Sequence, residues 1–292
     1  MAMDRELVTC TKGDGFWTRR ILCTIRRLVR LSAKSSTVGN MAVLILSISC
    51  IDGNLLNAFY HAAPSSEIIR QSSMNSTISS VIFKDYDVTV MLFHSAYLVD
   101  IEQTEKGRVM KLDSLKNGDI WKTMDVLVFN SWLWWYRRGP KQPWDYLQYR
   151  SKIVKDMDRM FAYKMALRTW TRWVNSQVNA TSTKIFFQGI SPSHYNGSEW
   201  NEPGVTNCLR EEQPVDGSTY PGGKPMAATV LRSALAPVRN KVQLLDITLL
   251  SQLRKDAHPS RYNGFKSMDC THWCVPGLPD IWNQLLFASL FS

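Results

Sequence analysis

Short apolar runs alternate with amphipathic segments along most of this chain of 292 residues. The apolar runs are rich in β-branched and aromatic residues and predict strands at 41–51, 81–83, 88–99, 125–130, 184–187 and 242–247. Apolar residues at a spacing of three or four predict helices at 153–174, 226–236 and 281–290. Segments rich in Ser, Thr and Asn predict loops at 33–40 and 64–80. Strands that alternate with helices predict an α/β fold whose mainly parallel sheet is covered on both faces.

Polar residues follow several of the predicted strands. In parallel sheets the reactive groups gather at the edge that the carboxyl ends of the strands form. We therefore expect functional side chains among the residues after the last three predicted strands, namely Asn130, Ser191, His194, Arg254, Asp256 and His258.

Positive charge is concentrated at the start of the chain. The first 50 residues hold eight Lys or Arg and three acidic residues, which gives half of the formal net charge of +10. Residues 17–31 combine apolar and basic positions at helical spacing, and they indicate an amphipathic helix suited to an anionic membrane surface. We expect 1–40 to be a separate basic segment, either disordered or associated with a membrane surface, and 41–292 to form one domain. No basic patch is interleaved with aromatic residues, so nucleic acid is not an expected partner.

The six cysteines fall into an early and a late group. The late group is Cys208, Cys270 and Cys274, so one of these three pairs with the N-terminal half or stays unpaired. The spacing of Cys and His residues is not that of a zinc site. Sequons at Asn75, Asn179 and Asn196, together with the cysteines, favour a secretory lumen.

The most informative motif is Asp269-x-x-His272, which lies between two cysteines and a Pro-Gly pair. A carboxylate that holds an imidazole in one tautomer lets the ring take a proton from a nucleophile supplied elsewhere, as in a Ser-His-Asp triad. An isolated Asp-x-x-His also occurs as an ordinary surface turn.

Several further blocks appear in a fixed order with this motif: DVLVFNSWLWW at 125–135, GPKQPWD at 139–145, FFQGISPSH at 186–194, EWNEP at 199–203, LDIT at 245–248, RKDAHPS at 254–260 and DCTHWCVPG at 269–277. In this order they closely resemble the plant trichome birefringence-like proteins, which are polysaccharide O-acetyltransferases of the PC-esterase group. The resemblance runs from about residue 80 to residue 292.

This resemblance implies a three-layer fold like that of SGNH/GDSL esterases and a Golgi location. It implies transfer of acetyl groups to hydroxyls of cell-wall polysaccharide, with xylan as the expected acceptor and acetyl-CoA or a derived acetyl carrier as co-substrate. No bound cofactor or metal is implied. Asp269 would orient His272, and His272 would act as general base and acid. The resemblance also implies a Cys208–Cys270 disulfide and a partner for Cys274 in the N-terminal half.

The Gly-Asp-Ser motif that carries the nucleophile in this family is missing from the sequence. Ser47 stands closest to its position, with Ile45 and Leu46 in place of the glycine and the aspartate, and Ser49 is a weaker alternative. Either serine would serve equally well as a structural residue. The chain therefore either has an altered N-terminal segment or is a divergent member with weakened or lost catalysis.

Candidate substrate contacts complete the interpretation. Asn130 is either an oxyanion donor or a turn residue, and Arg254 or His258 would lie near acidic or hydroxyl groups of a substrate. Four tryptophans either stack on sugar rings or fill the core: Trp132, Trp134, Trp135 and Trp200. Three functions stay open, namely an O-acetyltransferase, an esterase that uses the same residues with water as acceptor, and a catalytically silent glycan-binding protein.

Overall fold

The computed structural model describes residues 41–46, 68–72, 78–83, 88–93, 95, 97–116, 118–261, 268–274 and 277–290. The basic segment at 1–40 and the serines Ser47 and Ser49 lie outside the described residues. Among the helices of the described part, none is both long and apolar enough to cross a bilayer.

The main sheet has seven strands in the order β11-β10-β7-β1-β4-β3-β2. These strands are β1 Met41–Leu46, β2 Ile68–Ser72, β3 Ile78–Phe83, β4 Val88–Phe93, β7 Val126–Phe129, β10 Lys184–Gln188 and β11 Val242–Leu245. The five strands from β11 to β4 in that order are parallel, and β3 and β2 continue the sheet as antiparallel strands. The predicted α/β fold with a mainly parallel sheet is confirmed.

Strand β1 lies at the centre of this sheet, with β4 on one side and β7 on the other. The chain therefore adds strands first on one side of β1 and later on the other. Ligands of open α/β sheets bind at such a switch point, outside the carboxyl ends of the strands. Leu46, the last residue of β1, pairs with Phe129, the last residue of β7, so the two strands end at the same level.

Helices cover both faces of the sheet and complete three layers. On one face, helix α2 (Arg159–Gln177) packs its Trp170 against Phe129 and Phe187, and helix α3 (Met226–Leu235) lies beside α2. On the other face, Leu286 of helix α5 (Leu278–Leu290) packs against Val126 and Val128 of β7. Successive residues of β7 pack alternately on the two faces of the sheet, because neighbouring side chains of a strand point to opposite sides. The short helices α1 (Gly118–Trp121) and α4 (Thr248–Gln252) lie in connections.

A second sheet of four strands has the order β5-β6-β8-β9. Its strands are β5 Asp100–Thr104, β6 Gly107–Lys111, β8 Tyr146–Tyr149 and β9 Lys152–Val154. The hydrophobic pattern does not predict this sheet, because most of its residues are only partly buried and polar residues interrupt the apolar ones.

Several predicted boundaries are wrong. The predicted helix at 153–174 begins only at Arg159, where the Asp158 side chain accepts a hydrogen bond from Phe161 N at 2.8 Å and caps the helix. Ile153 pairs with Gln148 in the second sheet and matches the helical spacing only by coincidence. The predicted strand at 88–99 ends at Phe93, and β2 and the first residues of β3 lie within the predicted loop at 64–80.

Candidate active site

Asp269 and His272 form a hydrogen-bonded pair in the loop that precedes α5. His272 Nδ1 lies 2.5 Å from Asp269 Oδ2, while Asp269 Oδ1 accepts from the backbone N–H groups of Thr271 at 3.1 Å and His272 at 2.9 Å. The carboxylate holds the proton on Nδ1, so Nε2 carries the lone pair that accepts a proton from a nucleophile. The side chains are 28% (Asp269) and 33% (His272) exposed, which leaves the pair accessible from solvent.

The loop is held at both of its ends by long-range contacts. A disulfide joins Cys270 to Cys208, and the backbone N–H of Cys270 donates to the Tyr195 hydroxyl at 3.0 Å. Asp269 N–H donates to Ser260 Oγ, and Cys274 N–H donates to the carbonyl of Ala257 at 3.0 Å. The predicted Cys208–Cys270 disulfide is therefore present. Cys274 is disulfide-bonded as well, to a partner outside the described residues.

Two opposing effects act on the Asp269 carboxyl. Burial favours its neutral form, but hydrogen bonds from the His272 side chain and backbone and from the Thr271 backbone outweigh burial and lower its pKa below the usual value. Asp269 is therefore ionised at neutral and mildly acidic pH. A permanent negative charge at this position stabilises the imidazolium that forms when His272 takes a proton.

A second histidine pair supports the loop from inside the protein. His258 Nδ1 lies 2.6 Å from the backbone carbonyl of His272, His258 Nε2 lies 2.7 Å from His194 Nδ1, and His194 Nε2 lies 2.8 Å from the carbonyl of Gln252. Both rings are 0% exposed. Burial lowers the pKa of His194 to about 4, and burial together with the neighbouring His194 lowers the pKa of His258 to about 3, so both rings are neutral at physiological pH.

The two outer contacts of this pair end on carbonyl oxygens, which only accept hydrogen bonds. Both outer nitrogens therefore donate, and in neutral rings the two facing nitrogens, His194 Nδ1 and His258 Nε2, are both without a proton. The two lone pairs face each other in the contact between the rings. Of the three contacts, this is the one that an additional proton would strengthen.

Trp273 fixes the loop to the carboxyl edge of the sheet. Its Nε1–H donates to Ser191 Oγ at 2.8 Å, and its ring stacks on His258 with centroids 4.2 Å apart. The backbone N–H of His194 also donates to the carbonyl of Cys270 at 2.8 Å. Ser191 and His194 follow β10, so the Asp269–His272 pair lies at the edge where β7, β10 and the central β1 end.

Comparison of the sequence with known protein families gives a match. A family model described as PC-Esterase, the GDSL/SGNH-like acyl-esterase family found in Pmr5 and Cas1p, matches residues 54–289. The chain belongs to this family.

Curated relatives from Arabidopsis thaliana agree with this assignment. The chain is 50% identical over 216 residues to protein trichome birefringence-like 40, and 52% identical over 214 residues to protein trichome birefringence-like 38. These matches cover 74% and 73% of the chain but 59% and 56% of the two relatives, so the chain spans less than two thirds of their length. The predicted resemblance to the trichome birefringence-like proteins is confirmed.

In this PC-esterase, Asn130 directly follows β7, half buried, and its side chain makes no hydrogen bond to another described residue. This position fits a side chain that donates to a substrate oxygen at the switch point. Ser47 directly follows Leu46 of β1 in the sequence and lies outside the described residues.

Other candidate contacts are already engaged within the protein. Arg254 forms a bidentate pair with Asp256, with both N···O distances at 2.9 Å. His258 is enclosed behind the Asp269–His272 pair and positions its backbone, so we assign it no substrate contact. The guanidinium of Arg137 lies 3.2 Å from the centroid of the Trp134 ring and covers one face of it. Three tryptophans proposed as stacking faces belong to the interior, namely Trp132, Trp135 and Trp200.

Sequence reasoning missed the residues that hold the loop, namely Tyr195, Ser260 and the stacking of Trp273 on His258. Their only sequence signal is their place inside the blocks at 186–194, 254–260 and 269–277 or directly beside them. Among the described residues, no group of three or more His, Cys, Asp or Glu side chains is arranged to hold a metal ion.

Proposed function

We propose that this protein transfers acetyl groups to hydroxyls of a plant cell-wall polysaccharide through a covalent acyl-enzyme. The observation that carries the proposal is the Asp269–His272 pair, with Nδ1 2.5 Å from the carboxylate, at the carboxyl edge of an SGNH-like sheet. Membership of an acyl-esterase family and the similarity to trichome birefringence-like proteins support the same reaction class.

In the first step, His272 Nε2 takes the proton of a serine hydroxyl, and the serine oxygen attacks the carbonyl carbon of an acetyl donor. The bond between the acetyl carbon and the donor's leaving group breaks, and the leaving group takes the proton from Nε2. The acetyl group is then an ester of the serine. Ser47 is our candidate, because β1 ends beside β7 at the switch point of the sheet and Ser47 is the next residue in the sequence.

In the second step, a sugar hydroxyl gives its proton to the same nitrogen and attacks the acetyl carbon. The ester bond to the serine breaks, and the serine oxygen regains a proton from His272. Both steps pass through an oxyanion, for which one prearranged donor contributes about 3–4 kcal/mol. Asn130 is the side-chain donor that we assign to it.

A second candidate function is glycan binding without catalysis. The absence of Gly-Asp-Ser from the sequence favours it, because neither Ile45 nor Leu46 supplies what glycine and aspartate supply in that motif. An esterase that uses the same residues with water as acceptor is the third candidate.

We further propose xylan as acceptor, acetyl-CoA or a derived carrier as donor, and the Golgi lumen as location. The Cys208–Cys270 disulfide supports an oxidising compartment. Association with a membrane through residues 1–40 is part of the same proposal.

The test is to trap the acyl-enzyme with isotopically labelled p-nitrophenyl acetate and to locate the label by peptide mass spectrometry. We expect one acetyl group on Ser47, none in Ser47→Ala or His272→Ala, and unchanged labelling in Ser49→Ala as the matched control. Label on no serine, or on another serine, would contradict the assignment.

Xylo-oligosaccharides then separate the three functions. Movement of label onto the sugar supports the transferase, and its loss as acetate with no labelled sugar supports the esterase. Oligosaccharide binding that His272→Ala leaves unchanged, in a protein that is never labelled, supports the silent binding protein.

A further inference from the structure

Tyr195 is an exposed aromatic residue beside the Asp269–His272 pair. It lies in the connection after β10 and is 41% exposed. Its hydroxyl oxygen accepts a hydrogen bond from the backbone N–H of Cys270 at 3.0 Å. Cys270 directly follows Asp269 in the sequence, so the phenol is bound to the same turn that carries the pair.

Two hydrogen bonds fix the position of the Tyr195 ring. The backbone N–H of His194 donates to the carbonyl of Cys270 at 2.8 Å, while the Tyr195 hydroxyl accepts from the N–H of the same cysteine. The disulfide to Cys208 holds the side chain of Cys270. Because the ring is already held at its hydroxyl, it loses little conformational freedom when a ligand packs against it.

The Tyr195 hydroxyl keeps one hydrogen-bonding function available. A phenol has one O–H donor in addition to its acceptor lone pairs. The oxygen accepts from Cys270, and the O–H has no acceptor among the residues that the structure describes. A hydroxyl that accepts a hydrogen bond is polarised by it and becomes a better donor. A ligand oxygen can therefore take this bond without breaking the contact to Cys270.

Met268 adds apolar surface next to the pair. It directly precedes Asp269, is 49% exposed, and its Sδ lies 3.8 Å from Cys270 Sγ. Tyr195 and Met268 thus contact the same cysteine. The surface around Asp269 combines an aromatic ring, a thioether and an available O–H donor. A sugar ring, with its apolar C–H face and its rim of hydroxyls, matches this composition.

The position of Tyr195 along the sheet fits an acceptor and not the acetyl group itself. The candidate nucleophile Ser47 and Asn130 follow β1 and β7, whereas Tyr195 follows β10, the next strand beyond β7. Neighbouring strands are about 4.8 Å apart. A sugar ring that packs on Tyr195 would therefore lie beside the acetyl group, with one of its hydroxyls directed towards the acetyl carbon.

Water competes with a sugar for the acyl-enzyme at this site. The side chains of Asp269 and His272 are both partly exposed, so solvent reaches the pair. Transfer requires that the acceptor exclude this water while it supplies its own hydroxyl. A ring held on Tyr195 would cover the turn at 269–272 and so meet both requirements.

We propose that Tyr195 positions the acceptor. A pyranose ring packs with its C–H face on the phenol ring, accepts a hydrogen bond from the Tyr195 O–H, and presents one of its own hydroxyls to His272 Nε2. Tyr195 is thus the residue that sets the ratio of acetyl transfer to hydrolysis. This inference rests on the proposed function, since it concerns the second step of that reaction.

The test is the ratio of labelled sugar to labelled acetate, measured with isotopically labelled p-nitrophenyl acetate as donor and xylotetraose as acceptor. Both products arise from one acyl-enzyme, so the ratio does not depend on how fast the acyl-enzyme forms. Tyr195→Ala, which removes ring and hydroxyl, should lower the ratio by about tenfold or more. Tyr195→Phe, which keeps the ring, should lower it by about threefold. Tyr136→Ala, the matched control at an exposed tyrosine that packs on Trp132, should leave it unchanged.

Three outcomes would overturn the proposal. One is an unchanged ratio in Tyr195→Ala with weaker labelling of the enzyme, which would mean that Tyr195 only holds Cys270. Another is an equal fall in Tyr195→Ala and Tyr136→Ala, which would indicate a general loss of aromatic surface. The third is an equal fall in Tyr195→Phe and Tyr195→Ala, because the hydroxyl alone would then account for the effect and no ring would stack.

Calorimetric binding of xylotetraose separates this proposal from the proposed function. In the His272→Ala background, adding Tyr195→Ala should raise Kd by about tenfold. A parent protein that is never labelled but binds the sugar through Tyr195 would disprove acetyl transfer and keep the site. A labelled parent whose product ratio and sugar binding are both independent of Tyr195 would do the reverse. A parent that is neither labelled nor binds the sugar would disprove both.

Discussion

Two histidine pairs lie next to each other at the carboxyl edge of the sheet, and their surroundings differ. His272 is one-third exposed and contacts a carboxylate that stays ionised. His258 and His194 are 0% exposed and contact each other and two backbone carbonyls. The same side chain is thus prepared to gain a proton in one pair and prevented from gaining one in the other.

This difference shows how a single loop combines reactivity with rigidity. The exposed pair has the charge and the access that proton transfer requires. The buried pair has neither, but through the carbonyl of His272 it fixes the backbone that carries the exposed pair. Substitutions in the exposed pair should therefore change mainly activity, and substitutions in the buried pair should change mainly stability.

The largest effect should come from His272→Ala. The variant lacks the proposed general base and acid, so the proposed acetyl transfer should fall by about 10⁴-fold or more. The free energy of unfolding should change by less than about 1 kcal/mol, because the side chain is partly exposed. Activity is measured as label transferred from an acetyl donor, and stability by urea denaturation. A variant that keeps most of its transfer activity would refute the role of His272.

The next largest effect should come from Asp269→Asn. The amide can keep the contact but cannot stabilise the imidazolium, and it favours the wrong tautomer of His272. We expect a loss of about 10³–10⁴-fold in kcat with little change in KM. Thr271→Ala serves as a matched control in the same turn, because only its backbone N–H contacts Asp269. A loss confined to KM would mean that Asp269 acts in binding instead.

The sequence predicts those elements whose evidence lies in neighbouring residues, such as apolar runs and closely spaced motifs. Strand β7 and the middle of β10 are continuous apolar runs, because the residues on both faces of each are buried. The Asp269–His272 contact spans only three residues, so the sequence indicates the pair as a candidate, while the family resemblance distinguishes it from an ordinary surface turn. The disulfide was implied only by the family resemblance, since cysteine spacing does not determine pairing.

Features that depend on distant residues could not be predicted in this way. His194 and His258 are 64 residues apart and meet only because their two connections leave neighbouring parallel strands. Most residues of the second sheet are only partly buried, and the sheet lacks a continuous apolar run. Nothing in the local pattern around Arg159 indicates that its guanidinium is buried.

A smaller effect, on stability, should come from His258→Ala. The substitution leaves a cavity beside Trp273 and removes the donor to the backbone carbonyl of His272, so we expect a loss of about 2–4 kcal/mol. Acetyl transfer should fall by only about tenfold, through a less well fixed His272 backbone. Denaturation midpoints and kcat, measured side by side, check both parts. Unchanged stability together with a loss as large as that of His272→Ala would place His258 in the chemistry.

The buried pair should also make the stability depend on pH. His194 and His258 have folded pKa values lowered to about 4 and about 3, whereas in the unfolded chain both return to about 6.5. Below that pH the unfolded chain binds protons that the folded protein excludes. The free energy of unfolding should therefore fall as the pH drops from about 6.5 towards about 4, by about 1.4 kcal/mol per pH unit for each excluded proton.

The slope of the unfolding free energy against pH gives the number of protons that the buried pair excludes. Asp269 does not contribute in this window, because its lowered pKa confines its loss of stabilisation to pH values below its unfolded pKa of about 3.9. Denaturation at several pH values, compared between the parent and a His194→Gln, His258→Gln double variant, isolates the pair. A difference of two protons means two neutral rings. A difference of one means that the facing nitrogens already share a proton at neutral pH, and a hydrogen bond at their 2.7 Å separation would stabilise that proton. In that case the buried pair would differ from His272 in exposure and not in charge.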